Sequence, residues 1–282
     1  MKNYHNKNVM YVSHVELLVS DIKKSLKLYQ DILGFSILKE EDNKVYLTAN
    51  QKDVLVTLVE QKGAIPAQYN VGLYHFALLL PNRSDLAKVI QSLIEHQYPV
   101  TGLSDHEISE AIYLEDPDNN GIEIAVDRDL NGKTMGQVGF VTKMLDYKDV
   151  LKQLDPLAPN KLPFDTVMGH VHFHVNDLSK AKEFFVNTLG YEVQMDFRDQ
   201  ASFISDQGYH HHIAYNLWNG PDAKKRAPNQ AGLLNYTIKV PNRDYSTILS
   251  RFKKRNLILN EAQDYFMVKD VNDVDVRLER SE

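Results

Sequence analysis

The stretch Val19-Ser-Asp-Ile-Lys-Lys-Ser-Leu-Lys-Leu-Tyr-Gln-Asp-Ile-Leu-Gly-Phe35 recurs later in the chain as Val175-Asn-Asp-Leu-Ser-Lys-Ala-Lys-Glu-Phe-Phe-Val-Asn-Thr-Leu-Gly-Tyr191. In each copy an aspartate, Asp21 or Asp177, can cap a helix. Apolar residues follow at helical spacing, and a glycine, Gly34 or Gly190, can stop the helix. The shared pattern indicates that the two halves of the chain are copies of one another.

A second repeated pair divides each half again. Leu80-Pro-Asn-Arg83 precedes one amphipathic stretch, and Val240-Pro-Asn-Arg243 precedes another. Each half therefore contains two units, each with a strand, an amphipathic helix and three further strands. The sequence predicts an α+β protein of four βαβββ modules whose sheets form two cup-shaped open barrels. We expect modules one and two to form a first domain over residues 9–126, and modules three and four a second over 169–282, with a linker at 127–168.

Length and composition limit the class of protein. The 282 residues suit two domains of about 140 residues each. With 43% hydrophobic and 25% charged residues, the chain is typical of a soluble globular protein, and we expect a cytoplasmic location without membrane insertion. The net charge of -6 argues against nucleic-acid binding. Because the chain has no cysteine, a metal would have to be held by His, Asp or Glu.

Histidines recur at one position of the first strands. Alternation along each strand separates apolar residues, which would face the helices, from residues that face the other way. His14, His75 and His170 share this second face at equivalent positions in modules one, two and three, and Glu123 has it on the last strand of module two. Two histidines and one carboxylate that project from one concave face match the facial triad of Fe(II) enzymes, which leaves three positions open for substrate and dioxygen.

The recurring histidines have a second explanation, since common ancestry of the repeats alone could preserve them. Module four shows that these positions can change, because Asn235 stands at the place of the histidine and Arg277 at the place of Glu123. We therefore expect about one metal ion per chain.

Together these segments resemble the vicinal oxygen chelate superfamily of glyoxalases, bleomycin-resistance proteins and extradiol dioxygenases. The resemblance covers nearly all of the four modules. Besides the repeated helix, it rests on Gly72-Leu-Tyr-His-Phe-Ala77, Asp116-Pro-Asp-Asn-Asn-Gly-Ile-Glu-Ile124 and Gly169-His-Val-His-Phe-His-Val175. Proteins of this fold catalyse several reactions, so the function must be argued from the site.

The closer resemblance is to the catechol 2,3-dioxygenase branch, through Asp105-His-Glu-Ile-Ser-Glu-Ala-Ile-Tyr-Leu-Glu-Asp-Pro117 and Gly208-Tyr-His-His-His-Ile-Ala-Tyr-Asn-Leu-Trp218. It implies catalytic roles for His106, Tyr113 and His211. It also implies an extradiol ring-cleavage dioxygenase of aromatic catabolism, which acts on a small catechol- or hydroquinone-type diol and dioxygen. Its cofactor would be Fe(II), with Mn(II) as the alternative.

Two pairings of the modules fit this resemblance. If modules one and two share a barrel, the metal ligands are His14, His75 and Glu123, but Thr57 stands where a helper histidine is expected. If modules two and three share a barrel, the ligands are His170, His75 and Glu123. The second pairing alone also supplies all three helper residues, so we prefer it and keep the first as the alternative.

The helper residues also allow structural roles. His211 would act as acid or base beside the reacting oxygen, and Tyr113 and His106 would hydrogen-bond the substrate oxygens. Tyr113 could equally be a core tyrosine, and the histidines at 210–212 a solvated strand end. A glyoxalase-type isomerase or epimerase is a competing function, although Thr57 replaces the carboxylate that it needs. A metal-free protein that binds an aromatic ligand or confers resistance is another. The sequence is also compatible with assembly of the chain into a homo-oligomer.

Overall fold

A computed structural model describes residues 3–281 and contains the four predicted βαβββ modules. The first module comprises β1 (Tyr11–Val19), α1 (Ile22–Leu26), β2 (Ser36–Glu41), β3 (Lys44–Thr48) and β4 (Val54–Glu60). The second comprises β5 (Gly72–Leu79), α2 (Arg83–Glu95), β6 (Gly102–Asp105), β7 (Ser109–Glu115) and β8 (Gly121–Asp127). A connecting region follows with α3 (Met135–Val138), β9 (Lys143–Met144) and α4 (Tyr147–Leu151).

The second half of the chain repeats this order. The third module comprises β10 (Val167–His174), α5 (Leu178–Lys182), β11 (Glu192–Phe197), β12 (Ala201–Ser205) and β13 (Ile213–Asn216). The fourth comprises β14 (Gly232–Val240), α6 (Asn242–Lys254), β15 (Asn260–Glu261), β16 (Tyr265–Lys269) and β17 (Asp275–Arg280). The predicted α+β fold class is therefore confirmed.

The modules form two open sheets, and each sheet takes one module from each half of the chain. In the first sheet, β1 pairs antiparallel with β14 in the order β15-β16-β17-β14-β1-β4-β3-β2. In the second, β5 pairs antiparallel with β10 in the order β11-β12-β13-β10-β5-β8-β7-β6-β9. Modules two and three thus share a sheet, as the preferred pairing predicts. The sequence halves 9–126 and 169–282 do not form separate sheets. The pairs β1–β14 and β5–β10 each join a strand of the first half to a strand of the second.

The repeated helix begins and ends as its sequence predicts. The carboxylate of Asp21 accepts from the backbone N–H of Lys24, and Asp177 accepts from two backbone N–H groups of α5 in the same way. Both helices widen into π-helical segments, Lys27–Ile32 and Glu183–Leu189, a feature that helical spacing did not predict. Gly34 and Gly190 end them with positive φ angles of 84° and 102°, which a glycine adopts at little cost.

The helix-facing sides of the two sheets belong to one apolar core. The alternating residues of the first strands are at most 2% exposed, as predicted for Val15, Leu17, Phe76, Val171 and Phe173 among others. The rings of Phe173 and Tyr236 lie 5.2 Å apart and link the cores of the two sheets. None of the helices in residues 3–281 combines the length and hydrophobicity that a membrane crossing requires.

The region 127–168, for which the sequence predicted a linker, also extends the second sheet. β9 pairs with β6, and α4 packs against α2. Arg83 of α2 links β7 to α4, because its guanidinium contacts both Glu110 of β7 and Asp149 of α4. Through β9 and α4 this region packs against the second module, and α3 contacts β11 of the third.

Gly121 begins β8 where this strand passes close to β5. A Cβ atom on Gly121 would lie 2.0 Å from the carbonyl oxygen of Tyr74 and 3.1 Å from Cβ of His75. Because a backbone carbonyl cannot rotate away, we expect Gly121→Ala to lower the free energy of unfolding in urea by about 1–3 kcal/mol. Gly136→Ala is the control, since its nearest neighbour would be Gln194 O at 3.4 Å. Equal losses in both variants would contradict this account.

Candidate metal centre

Three strands of the second sheet bring two histidines and a glutamate to one point. His170 on β10 and Glu123 on β8 both lie opposite Ala77 of β5. His75 precedes Ala77 by two residues and therefore faces the same side of the sheet. The small side chain of Ala77 leaves room among the three larger ones. The strand register thus assembles residues from two halves of the chain.

The three donor atoms form a nearly equilateral triangle. His75 Nε2 lies 3.0 Å from Glu123 Oε2, His170 Nε2 lies 3.1 Å from the same oxygen, and the two Nε2 atoms are 3.2 Å apart. Metal bonds of about 2.1 Å at right angles separate neighbouring donors by about 3.0 Å, whereas tetrahedral angles separate them by about 3.4 Å. The triangle therefore fits one face of an octahedron and can bind a metal ion.

The protonation states also suit a cation. Burial raises the pKa of Glu123, but the neighbouring His170 and His75 outweigh this effect and hold the pKa well below its usual range. Burial lowers the pKa of His170, so its ring is neutral and offers a lone pair. A buried carboxylate beside the neutral imidazole of His170 is a donor set that suits a divalent metal ion.

His14 does not join this group. It lies on β1 in the first sheet, where its Nε2 is 2.8 Å from Thr57 Oγ1. The alternative ligand set, with His14 in place of His170, is therefore not brought together in this structure.

A cavity of about 430 Å³ opens above the triangle. Its walls are largely aromatic and apolar and include Ile108, Met135, Phe140, Phe203 and Trp218. The polar residues that line it include all three predicted helper residues, His106, Tyr113 and His211. A volume of this size, with aromatic walls and polar groups that converge on one point, is typical of a site for a small organic molecule.

Comparisons with known proteins agree with this arrangement. Residues 11–124 match the model of the Glyoxalase/Bleomycin resistance protein/Dioxygenase superfamily. The chain is 36% identical over 267 residues to a catechol-2,3-dioxygenase of Bacillus subtilis (strain 168), covering 92% of this chain and 93% of that protein. The chain belongs to this superfamily.

Solved structures of the superfamily share the fold. A Bacillus subtilis structure described as a dioxygenase covers 97% of this chain and 86% of its own, with a TM-score of 0.64 and 12% identity. Glyoxalase I from Zea mays covers 96% of this chain and 92% of its own, with a TM-score of 0.57 and 15% identity. At these identities the likeness concerns the vicinal oxygen chelate fold alone.

In this vicinal oxygen chelate protein, His106 and Tyr113 form a hydrogen-bonded pair on one wall of the cavity. His106 Nδ1 lies 2.8 Å from the carbonyl oxygen of Val141, which can only accept, so Nδ1 carries the proton. His106 Nε2 therefore accepts from the hydroxyl of Tyr113 at 2.9 Å. Burial and the nearby Glu123 raise the pKa of Tyr113 well above its usual range, which keeps the phenol neutral.

His211 lies on the opposite wall, against His170 with 4.1 Å between ring centroids. Its Nδ1 is 2.8 Å from His210 Nδ1, and His210 Nε2 is 2.9 Å from Asp127 Oδ1. Burial raises the pKa of Asp127, but His210 and Tyr209 outweigh this and hold it below its usual value, so the carboxylate accepts from His210. In the neutral tautomer that donates through Nε2 to Asp127, His210 has its lone pair on Nδ1, which can accept from His211 Nδ1–H and so leave the lone pair of His211 on Nε2.

Asp127 and His210 were not predicted from the sequence as partners of His211. Asp127 follows Glu123 by four residues on the same strand, so strand parity places both on one face. That signal was available, but an acidic residue at a strand end is commonly solvated. All three histidines at 210–212 are less than 9% exposed, so the solvated strand end considered for them is not found. His212 faces away from the cavity and bonds the carbonyl of Tyr4.

We expect the protein to bind about one divalent metal ion per chain. His75→Ala, Glu123→Ala and His170→Ala should each remove one corner of the triangle and abolish stoichiometric binding. Elemental analysis after dialysis, or titration with Fe(II) under anaerobic conditions, measures the metal content. His14→Ala is the matched control, because it removes a histidine at the equivalent position of the other sheet. Retained metal in the His170 variant together with loss in the His14 variant would contradict the site.

Proposed function

We propose that this protein is an extradiol ring-cleavage dioxygenase that uses Fe(II), or Mn(II) as the alternative, on a catechol- or hydroquinone-type substrate. The observation that carries the proposal is the triangle of two histidines and one carboxylate at the floor of an aromatic cavity. The name of the Bacillus subtilis relative, a catechol-2,3-dioxygenase that matches 92% of the chain, supports the same reaction. A small aromatic diol and dioxygen would be the two substrates.

The metal would be held by His75, His170 and Glu123. When bound, it supplies a Lewis acid with open positions, at which a diol and dioxygen can be brought together. The protein contributes order, because a ring confined between fixed walls reacts as if the step were intramolecular.

The cavity walls favour an uncharged aromatic ring. Phe140 lies on the side of the connecting region, stacked on Phe197 with ring centroids 4.2 Å apart. Phe203 and Trp218 form other parts of the wall. Among the described lining residues there is no Lys or Arg that would pair with a carboxylate on the ring. Apolar contacts would therefore provide most of the binding free energy of the substrate.

His211 would move the substrate proton. Its Nε2 lone pair would accept a proton from a hydroxyl group of the diol, with Nδ1–H donated to His210 Nδ1, which lies 2.8 Å away. Burial and the neighbouring His170 lower the pKa of His211 well below its usual value, so its ring is neutral before the reaction. The carboxylate of Asp127, at the far side of His210, would stabilise the positive charge that this transfer creates.

Tyr113 would orient the substrate. Its hydroxyl donates to His106, which leaves the oxygen lone pairs to accept a hydrogen bond from the second hydroxyl group of the diol. The carbonyl of Val141 fixes the tautomer of His106 and so fixes the direction of this bond.

A glyoxalase-type isomerase or epimerase is the main rival. Such an enzyme needs a carboxylate on the last strand of the module beside the metal. In the second sheet this strand is β13, Ile213–Asn216, which carries no carboxylate. Thr57 stands on the corresponding strand of the first sheet. The donor set therefore favours a dioxygenase.

Anaerobic loading with Fe(II), followed by a panel of catechols and hydroquinones in air, tests the proposal. We expect oxygen uptake together with a yellow ring-fission product. A loaded protein that binds metal but is silent across the panel would refute ring cleavage and favour an isomerase. A protein that binds aromatic ligands but no metal would favour the metal-free binding function.

We expect His211→Ala to keep its metal and to lose turnover by a factor on the order of 100 or more, as for a removed general acid or base. Asp127→Asn should also keep its metal and lower kcat more than KM, because the amide no longer sets the tautomer through His210. Tyr209→Phe is the control, since it removes one hydrogen bond to Asp127 and leaves the carboxylate in place. Full turnover in the His211 variant would contradict its role.

A further inference from the structure

The first sheet has a cavity of its own on the face that corresponds to the metal centre. Its volume is about 550 Å³, compared with about 430 Å³ in the second sheet. Sites for small organic molecules commonly span about 300–1,000 Å³. We call it the first-sheet cup; residues that line it include His14, Thr57, Asn235, Thr237, Met267 and Arg277.

Strand register places the cup residues in correspondence with the metal centre. In the second sheet, His170 and Glu123 both lie opposite Ala77, and His75 precedes Ala77 by two residues. In the first sheet, His14 and Arg277 both lie opposite Thr237. Asn235 precedes Thr237 by two residues. A guanidinium therefore replaces the carboxylate, and the charge at the centre of the face is reversed.

Arg277 is held in place but keeps free hydrogen-bond donors. Its guanidinium lies over the ring of Tyr265 at 3.6 Å, and its Nε donates to Glu279 at 2.9 Å. Among the residues that the structure describes, its two terminal NH₂ groups have no hydrogen-bond partner. These groups form the planar fork that binds a carboxylate through two parallel hydrogen bonds.

The lining residues carry three positive and three negative charges, and Lys44, which pairs with Glu16 from outside the lining, adds one positive charge. Lys239 and Arg277 share the single carboxylate of Glu279. Glu16 is balanced by Lys44, which lies 3.3 Å away. The remaining charged residues of the lining are one lysine and one aspartate, which balance each other, Lys52 and Asp53.

The rest of the cup is neutral. Burial and the charge of Arg277 lower the pKa of His14 to about 4, so its ring carries no charge near neutral pH. Thr57 is 1% exposed and bonds His14. The lining also contains neutral polar residues, such as Ser13, Asn50 and Thr166, and five aliphatic or methionine side chains, Val54, Leu55, Val167, Met168 and Met267. The cup thus combines one cationic fork with a wall of neutral polar and apolar side chains.

We propose that the first-sheet cup binds a small organic monoanion, a carboxylate with a compact apolar body, with its carboxylate paired to the fork of Arg277. This site is separate from the metal centre and needs no metal. Its ligand is anionic, whereas the cavity of the second sheet favours an uncharged ring.

Methionine methyl groups report on the two cavities separately. Met168 and Met267 line the first-sheet cup, and Met135 lines the cavity above the metal centre. We expect benzoate, added to the full-length protein with ¹³C-methyl-labelled methionine, to shift the resonances of Met168 and Met267 and not that of Met135. Benzamide, which has the same shape and no charge, should leave the resonances of Met168 and Met267 in place. Benzoate shifts at Met135 alone, or benzamide shifts of Met168 and Met267 equal to those with benzoate, would overturn the proposal.

Variants of Arg277 test the fork directly. Arg277→Gln should weaken benzoate binding at least tenfold, and Arg277→Lys, which keeps the charge without the fork, should weaken it less. Arg255→Gln is the matched control, because it removes a surface arginine on the C-terminal side of α6 and should keep the affinity of the parent protein. Unchanged benzoate affinity in both Arg277 variants, with thermal unfolding like that of the parent, would overturn the assignment.

Discussion

The antiparallel pair of β5 and β10 is the constraint on which the metal centre depends. Module two alone supplies His75 and Glu123, and module three alone supplies His170 and His211. Only the register that places His170 opposite Ala77 brings both sets to one face. A slip of one residue would turn His170 toward the helix layer, since neighbouring strand residues face opposite sides. The apolar residues between the ligands oppose such a slip, because it would expose Val171 and Phe173.

Much of the fold could be predicted from local patterns. Asp21 and Gly34 delimit a helix through hydrogen bonds and backbone angles that involve near neighbours in the sequence, so the repeat was readable residue by residue. Strand parity likewise sorted Val15 and Leu17 from His14. The choice between His14 and His170 could not be made in this way. Both have the same local surroundings, and their difference arises from pairing between strands that are distant in the chain.

The parts of the site that were missed depend on tertiary contacts. Asp127 matters because His210 reaches it from another module, and no local pattern records that contact. Phe140 lies in a region with turn signals and little periodicity, yet β9 and α4 hold that region against the second sheet. The candidate ligands were visible because they recur at equivalent places. Their partners occur once, so the repeat carried no information about them.

The pairing of the modules is nested along the chain, with β5 and β10 enclosed between β1 and β14. During synthesis, β10 follows β5 before the fourth module exists, so the sheet with the metal ligands can form first. Closing this shorter loop costs less chain entropy than closing the outer one. Until β14 emerges from the ribosome, β1 remains an unpaired strand edge, which is a template for association with another chain. The last module to be made thus protects the first from aggregation.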